Sequence, residues 1–589
     1  SQNGNGKKKL SREEVAAIEV GHTDVSPGVA RFLIAAFLTV IVGVPAVQIA
    51  CDLSGASARL AGGPGPAAGP QKPYCAEALN LLPRADELRS LKSFDSFVKL
   101  NTRMLRDINE FEDELEESSL LQKALIPSAQ CVLTGWLGAG NEKAYCGREG
   151  WLFYRPGVDY VTARGFLEPA VIAEREKSGN EWTPPPQPDP LKAILDFKKQ
   201  LDELMVELVV VPAPVKPVIH PEKFSSRFDG SSALQNPSFA EFKRRLAAAG
   251  VKVYDPAPLL MELKRKGGKP VYLESDTHWT PEALETAARG LAEFISESGL
   301  APREGPRLKY TRRESKVSNL GDIAGMLKLP AGQKFYAKQT VTVREVLDSE
   351  GRPWESTERG GILLLGDSFS NIYSLEGMNW GRAAGFAEQL SCELGQPLDR
   401  IVINDNGAHA ARGELARELA RGIDRLAGKK LVVWEFAARE LSVGDWKLIE
   451  LKLDEKKWQE RMVAAKRAAL EGPGPRDIGT VIEGEVLDVT KPPKPGAVPY
   501  KDALCQIHLG KLRATSGKLD AEAILVYAWV MRDNRLTAAA GLKKGDRVTL
   551  KLTAWETAQK KVGRYNRREI QSDDMEVMML DVYWGEPLK

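Results

Sequence analysis

Between Pro190 and Val443, short apolar β-branched runs alternate with amphipathic helical patterns, and this alternation restricts the fold more than any other feature of the chain. The strand candidates are Val206–Val211 (VELVVV), Val251–Tyr254, Gly361–Leu365 (GILLL), Arg400–Asn404 and Lys430–Glu435 (KLVVWE). The helix candidates are Leu191–Leu204, Ser238–Ala249, Pro281–Ser298, Gly381–Leu394 and Arg412–Ala427. Strands this short and this uniformly apolar are expected where helices cover both faces of a parallel sheet. The expected fold class is therefore α/β, a doubly wound α/β/α domain whose ligands sit beyond the carboxyl ends of its strands.

A chain of 589 residues exceeds what one core fills, so further units are expected. From Ile478 to Gly585 the pattern changes to β-formers broken by turns such as Lys544-Gly545-Asp546, which predicts a smaller all-β domain, an OB-like barrel or a sandwich. Its aromatic residues Trp529, Trp555, Tyr565 and Trp584 admit two roles, packing in a core or stacking on sugar rings. Gly/Pro-rich Ala61–Pro73 reads as a spacer, and Ala76–Leu125 carries helical spacing. Thr183–Pro190 reads as an exposed loop, and Gly472–Pro475 as the break before the β-rich tail.

Phe32–Ala50 runs for 19 positions without a charge, close to the ~20 needed to cross a bilayer as a helix. Lys7, Lys8, Lys9, Arg12 and Arg31 precede it, which by the positive-inside tendency keeps the N-terminal arm cytoplasmic and the bulk of the chain outside. Cys51 leaves lipoprotein processing as the alternative, although Gln48 stands where an aliphatic residue is usual. The expected organisation is an arm at 1–31, a transmembrane signal-anchor at 32–50, a linker and membrane-proximal helical region at 51–125, a catalytic domain at 126–471 and the β-rich accessory domain at 476–589.

The charge balance, 82 basic against 80 acidic side chains, offers no electrostatic footprint for nucleic acid. The six cysteines lack zinc spacing, so no metal is expected; Cys131 and Cys146 are either bridged or two buried thiols.

The chemistry-bearing signal is GILLLGDSFS. A buried strand running into Gly366-Asp367-Ser368 leaves Ser368 at the strand's carboxyl end, where its backbone N–H can also meet an oxyanion. All three residues also favour ordinary turns. A nucleophilic serine needs a base, and the base needs an orienting group on its other nitrogen. In ESDTHWT, Asp276 and His278 lie two apart and project to one side if the segment is an extended strand end. The bland reading of the same segment is a cap for the helix at Pro281, with Thr280 as the capping residue. His409, in NDNGAHAARGE, is the competing base, and Asn404 and Asn406 are candidate oxyanion donors or turn residues.

The strand into GDSFS, the upstream DTHW, GREGWLFY at Gly147–Tyr154, VPAPVKPVIHPEKF at Val211–Phe224 and VVWEFAAREL at Val432–Leu441 together resemble the alginate O-acetyltransferase AlgJ/AlgX type, over roughly Tyr145 to Val443. The resemblance implies an SGNH-like domain with Ser368 as acyl-accepting nucleophile, His278 as base and Asp276 as its orienter. Motif residues beyond these three, Trp434, Glu435 and Arg439 among them, read as structural. It also implies no cofactor, a polysaccharide substrate, and an acetyl donor supplied by a multi-pass membrane O-acyltransferase partner. The implied location is the inner membrane, single-pass, with the catalytic domain in the periplasm. The tail does not match that family's carbohydrate-binding module, so the acceptor need not be alginate. An SGNH esterase and a non-catalytic polysaccharide-binding scaffold are the alternatives.

Overall fold

The computed structural model describes residues 26–53, scattered positions between 81 and 112, and 119–588 apart from 180–184, 303–306, 331, 405–406, 472–479 and short stretches of the C-terminal region. The arm before residue 26, the spacer Ala61–Pro73, Cys75, the break Gly472–Pro475 and Asn406 lie outside the described residues. The chain divides into two units, Ser1–Ile126 and Pro127–Lys589.

In the first unit the apolar run forms the helix Pro27–Leu53, longer at both ends than the uncharged segment. Its length and composition suffice to cross a membrane. Phe32 and Phe37 are 70% and 63% exposed, whereas the core helix of a soluble domain would bury such side chains. The described positions between 88 and 112 are helical, as the spacing predicts.

The second unit is built on a five-stranded parallel sheet. Its strands are β1 (Glu207–Ala213), β2 (Lys252–Val253), β3 (Ile362–Gly366), β4 (Leu398–Val402) and β5 (Leu431–Ala437), in the spatial order β2-β1-β5-β3-β4. Every residue of β3 and β5 is buried, so both faces are covered, as the uniformly apolar runs require. Each fully buried Val or Leu of this kind stabilises the fold by roughly 1.5–3 kcal/mol. The helices Pro190–Glu203, Phe239–Ala248 and Pro281–Glu297 fall where their periodicity places them. Two end differently. The helix predicted from Gly381 begins only at Phe386, because Gly381 (φ +117°) and Ala383 (φ +49°) are left-handed and cannot sit in a helix. The one predicted over Arg412–Ala427 runs Ala410–Ala420, after which Gly422 (φ +73°) turns the chain.

One element has no counterpart in the apolar pattern. Thr311–Asn319 and Gln339–Leu347 form an antiparallel hairpin with nine paired positions. Its first strand, TRRESKVSN, has no buried residue and is laced by cross-strand ion pairs such as Arg344–Glu314 at 3.2 Å, so hydrophobic alternation is absent.

The tail forms a closed barrel. Its strands are β6 (Val481–Val489), β7 (Ala503–Ser516), β8 (Ala523–Arg532), β9 (Arg547–Ala554) and β10 (Val582–Pro587). β6 pairs with β7 and β9, β7 with β8, and β9 with β10, all antiparallel, and a parallel β8–β10 pairing closes the ring. A closed ring is a barrel rather than two packed sheets, and the short strands Arg535–Leu536 and Asn566–Arg568 pair onto β8 and β7. Ile482, Cys505, Ile507, Val526 and Leu550 fill its interior. The aromatic residues go to a satellite cluster outside it. Trp529 packs edge-on against Tyr565 at 4.7 Å and Trp584 at 5.8 Å, while Trp555 lies 4.4 Å from Tyr527. They pack on one another, and Arg532 lies over Trp529 at 4.1 Å. Buried ion pairs join the barrel to the helix Ala410–Ala420: Arg417 bridges Glu414 at 2.6 Å and Glu569 of the barrel domain.

Candidate active site

β3, between β5 and the edge strand β4, delivers its last residue, Gly366, to the sheet's carboxyl edge. Asp367 then caps the short helix Ser368–Asn371, its Oδ1 accepting the Phe369 N–H at 2.8 Å. Its Oδ2 accepts the Ala437 N–H at 2.8 Å, which fastens this turn to the end of β5. Ser368 stands at the head of that helix, 8% exposed.

His278 meets it from 90 positions upstream. His278 Nε2 lies 2.9 Å from Ser368 Oγ, and Nδ1 lies 2.7 Å from Asp276 Oδ1. The three side chains form a continuous hydrogen-bonded line, with Asp276 and His278 only 1% and 2% exposed. The segment carrying them is not an extended strand end. It is a tight loop closed by a Tyr272–Trp279 bridge, and Asp276 Oδ1 also accepts the His278 N–H at 3.1 Å. Local bonding within the loop, not strand alternation, points both side chains at Ser368. The capping reading holds simultaneously: Thr280 Oγ1 accepts the Ala283 N–H and Pro281 opens the helix. Trp279 is a core residue whose Nε1–H donates to Phe369 O at 3.1 Å.

Three further residues enter this site without a signal in the sequence pattern. Trp380 Nε1–H donates to Asp276 Oδ2 at 2.8 Å, and the Asp322 N–H donates to the same oxygen at 3.0 Å. Asp322 Oδ1 in turn accepts the Thr277 N–H at 2.7 Å. Lys216 is buried and donates from Nζ to Leu152 O at 2.7 Å and to Glu274 O at 3.0 Å, tying the loop to the segment Leu152–Tyr154. Lys216 falls within the VPAPVKPVIHPEKF motif, which marks the segment but not the contact. Asp322 follows the exposed first strand of the hairpin, and so escapes any reading based on apolar periodicity.

Electrostatics follow from this packing. Burial works against a charged His278, but the hydrogen bond and charge of Asp276 outweigh it, and its pKa is raised. Burial likewise opposes the Asp276 carboxylate, yet the bonds from His278, Trp380 and Asp322 leave its pKa lowered. Asp322 is pushed up to about 6 by burial and by the adjacent Asp276 charge. Burial brings Lys216 down to about 7. Asp276, His278 and Asp322 have ligand-type atoms within 4.8 Å of one another, but both Asp276 oxygens and Asp322 Oδ1 already accept N–H bonds, which is the pattern of a hydrogen-bond network.

The other candidates make different contacts. His409 Nδ1 is 3.1 Å from Asp445 O, at the head of the helix Ala410–Ala420, and burial lowers its pKa. Asn404 stands beside the helix that Ser368 heads: its Oδ1 accepts from Asn371 Nδ2 at 3.0 Å, and its own Nδ2 lies 3.5 Å from Met378 Sδ. Cys131 and Cys146 are free thiols, Cys146 Sγ lying 3.5 Å from the Tyr336 hydroxyl.

Residues 145–438 match the family model described as SGNH hydrolase-like domain, acetyltransferase AlgX. This segment belongs to the AlgX family. The chain is 27% identical over 273 residues to "Probable alginate O-acetylase AlgJ" of Azotobacter vinelandii, covering 44% of this chain and 64% of that protein, slightly under two thirds of it. The Pseudomonas aeruginosa protein of the same name is 26% identical over 308 residues, 51% of this chain and 71% of its own. Among solved structures, the O-acetyltransferase domain of Pseudomonas putida AlgJ is similar at 20% identity and a TM-score of 0.38, over 55% of this chain and 99% of that one.

Proposed function

We propose that this protein is an extracytoplasmic O-acetyltransferase that moves an acetyl group through a serine acyl-enzyme onto hydroxyls of a polysaccharide. The observation that carries the reading is the Asp276–His278–Ser368 hydrogen-bonded line within an AlgX-family domain. Ser368 Oγ attacks the acyl carbonyl carbon while His278 Nε2 takes its proton, and Asp276 stabilises the imidazolium that results. The bond to the leaving group breaks, and that group departs with the proton from His278. A sugar hydroxyl then attacks the acyl-enzyme, giving its proton to His278, and collapse returns the proton to Ser368. All of this uses the chain's own residues and a donor brought by a partner, without a cofactor.

The relatives' names make acetyl the acyl group and an alginate-like exopolysaccharide the first acceptor to try. In this reading the helix Pro27–Leu53 is a signal-anchor in the inner membrane. The catalytic region 126–471 and the barrel 476–589 lie in the periplasm, beside a multi-pass membrane acyltransferase that supplies acetyl groups. The test is intact-mass analysis of the full chain incubated with an activated acetyl ester, with and without oligomannuronate. The wild type should gain one acetyl on Ser368 and pass it to the oligosaccharide, and Ser368→Ala should gain none. Acetylation of the alanine variant, or release of acetate with no transfer to any glycan offered, would overturn the reading.

A further inference from the structure

Behind the Gly366-Asp367-Ser368 turn lies a buried carboxyl that the triad does not use. Glu435, on β5, is 1% exposed. Its Oε2 accepts the Asp367 N–H at 3.1 Å and the Ser370 hydroxyl at 2.7 Å. A Cβ placed on Gly366 would lie 3.1 Å from the same oxygen and 2.6 Å from Ser370 Oγ, so the carboxyl packs directly against the glycine that permits the turn. Glu435 Oε1 is buried and has no hydrogen-bond partner among the described residues. Arg439, four positions on, has its Nε 3.6 Å from Glu440 and a buried Nη1 without a hydrogen-bond partner among the described residues.

Two acidic side chains therefore stitch the end of β3 to the end of β5, and they do so differently. Asp367 accepts backbone N–H groups on both oxygens. Glu435 has one oxygen doubly engaged, while its other oxygen accepts no hydrogen bond among the described residues; the carboxyl shares a side-chain hydrogen bond with Asp367, which only a protonated acid can donate. A carboxylate with an unsolvated oxygen beside another acid is far more costly than a neutral acid in the same place. Burial, and then the charge of Asp367, push the Glu435 carboxyl well above the usual range.

We infer that Glu435 is a positioning residue for Ser368, a neutral carboxylic acid whose Oε2 holds the Asp367 N–H and the Ser370 hydroxyl and so fixes the turn that aims Ser368 at His278. The inference rests on reading Ser368 as the nucleophile. A carbonyl oxygen has two lone pairs, so one neutral acid oxygen can accept both bonds. A displacement of about 1 Å at the nucleophile can lower turnover about a hundredfold, so two bonds at the root of the turn suffice to matter.

The test compares wild type, Glu435→Gln, Glu435→Leu and Ser370→Ala as full chains, reading kcat and KM for an acetyl ester, the rate of Ser368 labelling by a sulfonyl fluoride, and the melting transition. The glutamine oxygen accepts the same two bonds without charge, so kcat and labelling stay within about threefold of wild type. The leucine variant offers neither acceptor, and kcat falls about thirtyfold or more with KM within about twofold. Ser370→Ala, which removes one bond and leaves the carboxyl in place, lowers kcat about three- to tenfold and serves if the leucine variant does not fold. Glutamine as damaging as leucine, or Ser370→Ala and Glu435→Leu both as active as wild type, overturns the inference. A wild type whose Ser368 does not label overturns the nucleophile reading itself, a result distinct from either.

Discussion

Trp380 donates its indole N–H to Asp276 Oδ2 across 104 positions of sequence, at 2.8 Å, and with the Asp322 N–H it supplies the free oxygen of a fully buried carboxylate. The opposite oxygen holds His278, so the aspartate is bonded on both sides and cannot rotate away.

Trp380→Phe keeps the packing and deletes that donor. A hydrogen bond to a buried charge is worth about 1.5–3 kcal/mol, so kcat for an acetyl ester should fall roughly ten- to a hundredfold with KM little changed. An unchanged kcat would show that the bond does not hold the aspartate.

The raised His278 pKa sets the pH dependence. The proposed base must be neutral to accept a proton, so activity should be lost as pH falls through a value above the ordinary 6.5 of imidazole. Asp276→Asn removes the cause of the rise and leaves burial, so the acid limb should move to lower pH while kcat drops by on the order of 10⁴. For stability the sign is the reverse of that for a lowered acid. The raised His278 contributes stability fully below its unfolded pKa and loses it as pH climbs through the folded one. Melting profiles of wild type and Asp276→Asn against pH check this, and curves that stay parallel across that window would contradict it.

Gly321→Ala should disturb the aspartate loop from outside it. Gly321 has φ +95°, and a Cβ there would lie 2.4 Å from Ser275 O and 2.9 Å from Asp276 N, both backbone atoms. A strained left-handed residue alone costs about 1–3 kcal/mol, and the clash adds to it. Both the melting temperature and the serine-labelling rate should fall; a variant with wild-type labelling would separate this glycine from the site.

Arg417→Met should uncouple the barrel from the α/β domain. Arg417 is 12% exposed and neutralises Glu414 and Glu569, themselves 7% and 4% exposed. Arg567 also reaches Glu569 at 3.3 Å and Glu414 at 3.9 Å, so the two carboxylates keep one cation and the loss should be about 1–3 kcal/mol, that of hydrogen bonds to buried charges. Calorimetry should show a lower or split transition, partly restored by adding Glu569→Gln. A single unshifted transition would mean that other contacts join the domains.

Val40→Arg places a charge near the middle of the apolar helix, which opposes insertion by about 2.5–3.5 kcal/mol. The expected outcome is a shift of the chain from the membrane to the soluble fraction on cell fractionation. Undiminished membrane retention would argue against a signal-anchor.

Much of this molecule is legible one residue at a time. Alternating buried strands and helices are a local pattern, and they specify a parallel sheet with Ser368 just past a strand end. Asp276 and His278 are two apart, so one loop holds them together whatever the rest of the chain does. The barrel announces itself through β-formers and turns, and the apolar helix through its missing charges. Residue spacing alone leaves His409 as a competitor to His278, and it is the ordered set of family motifs that favours His278. Only the crossing of the chain brings one of them to 2.9 Å from Ser368 and turns the other to Asp445. Sequence alone could not find Trp380, Asp322, Lys216 or the second role of Glu435. Their partners lie tens of positions away, and a contact made by topology leaves no period in the sequence. The aromatics of the tail tell the same story, since whether Trp529 faces a sugar or Tyr565 depends on where β8 lies in the closed ring.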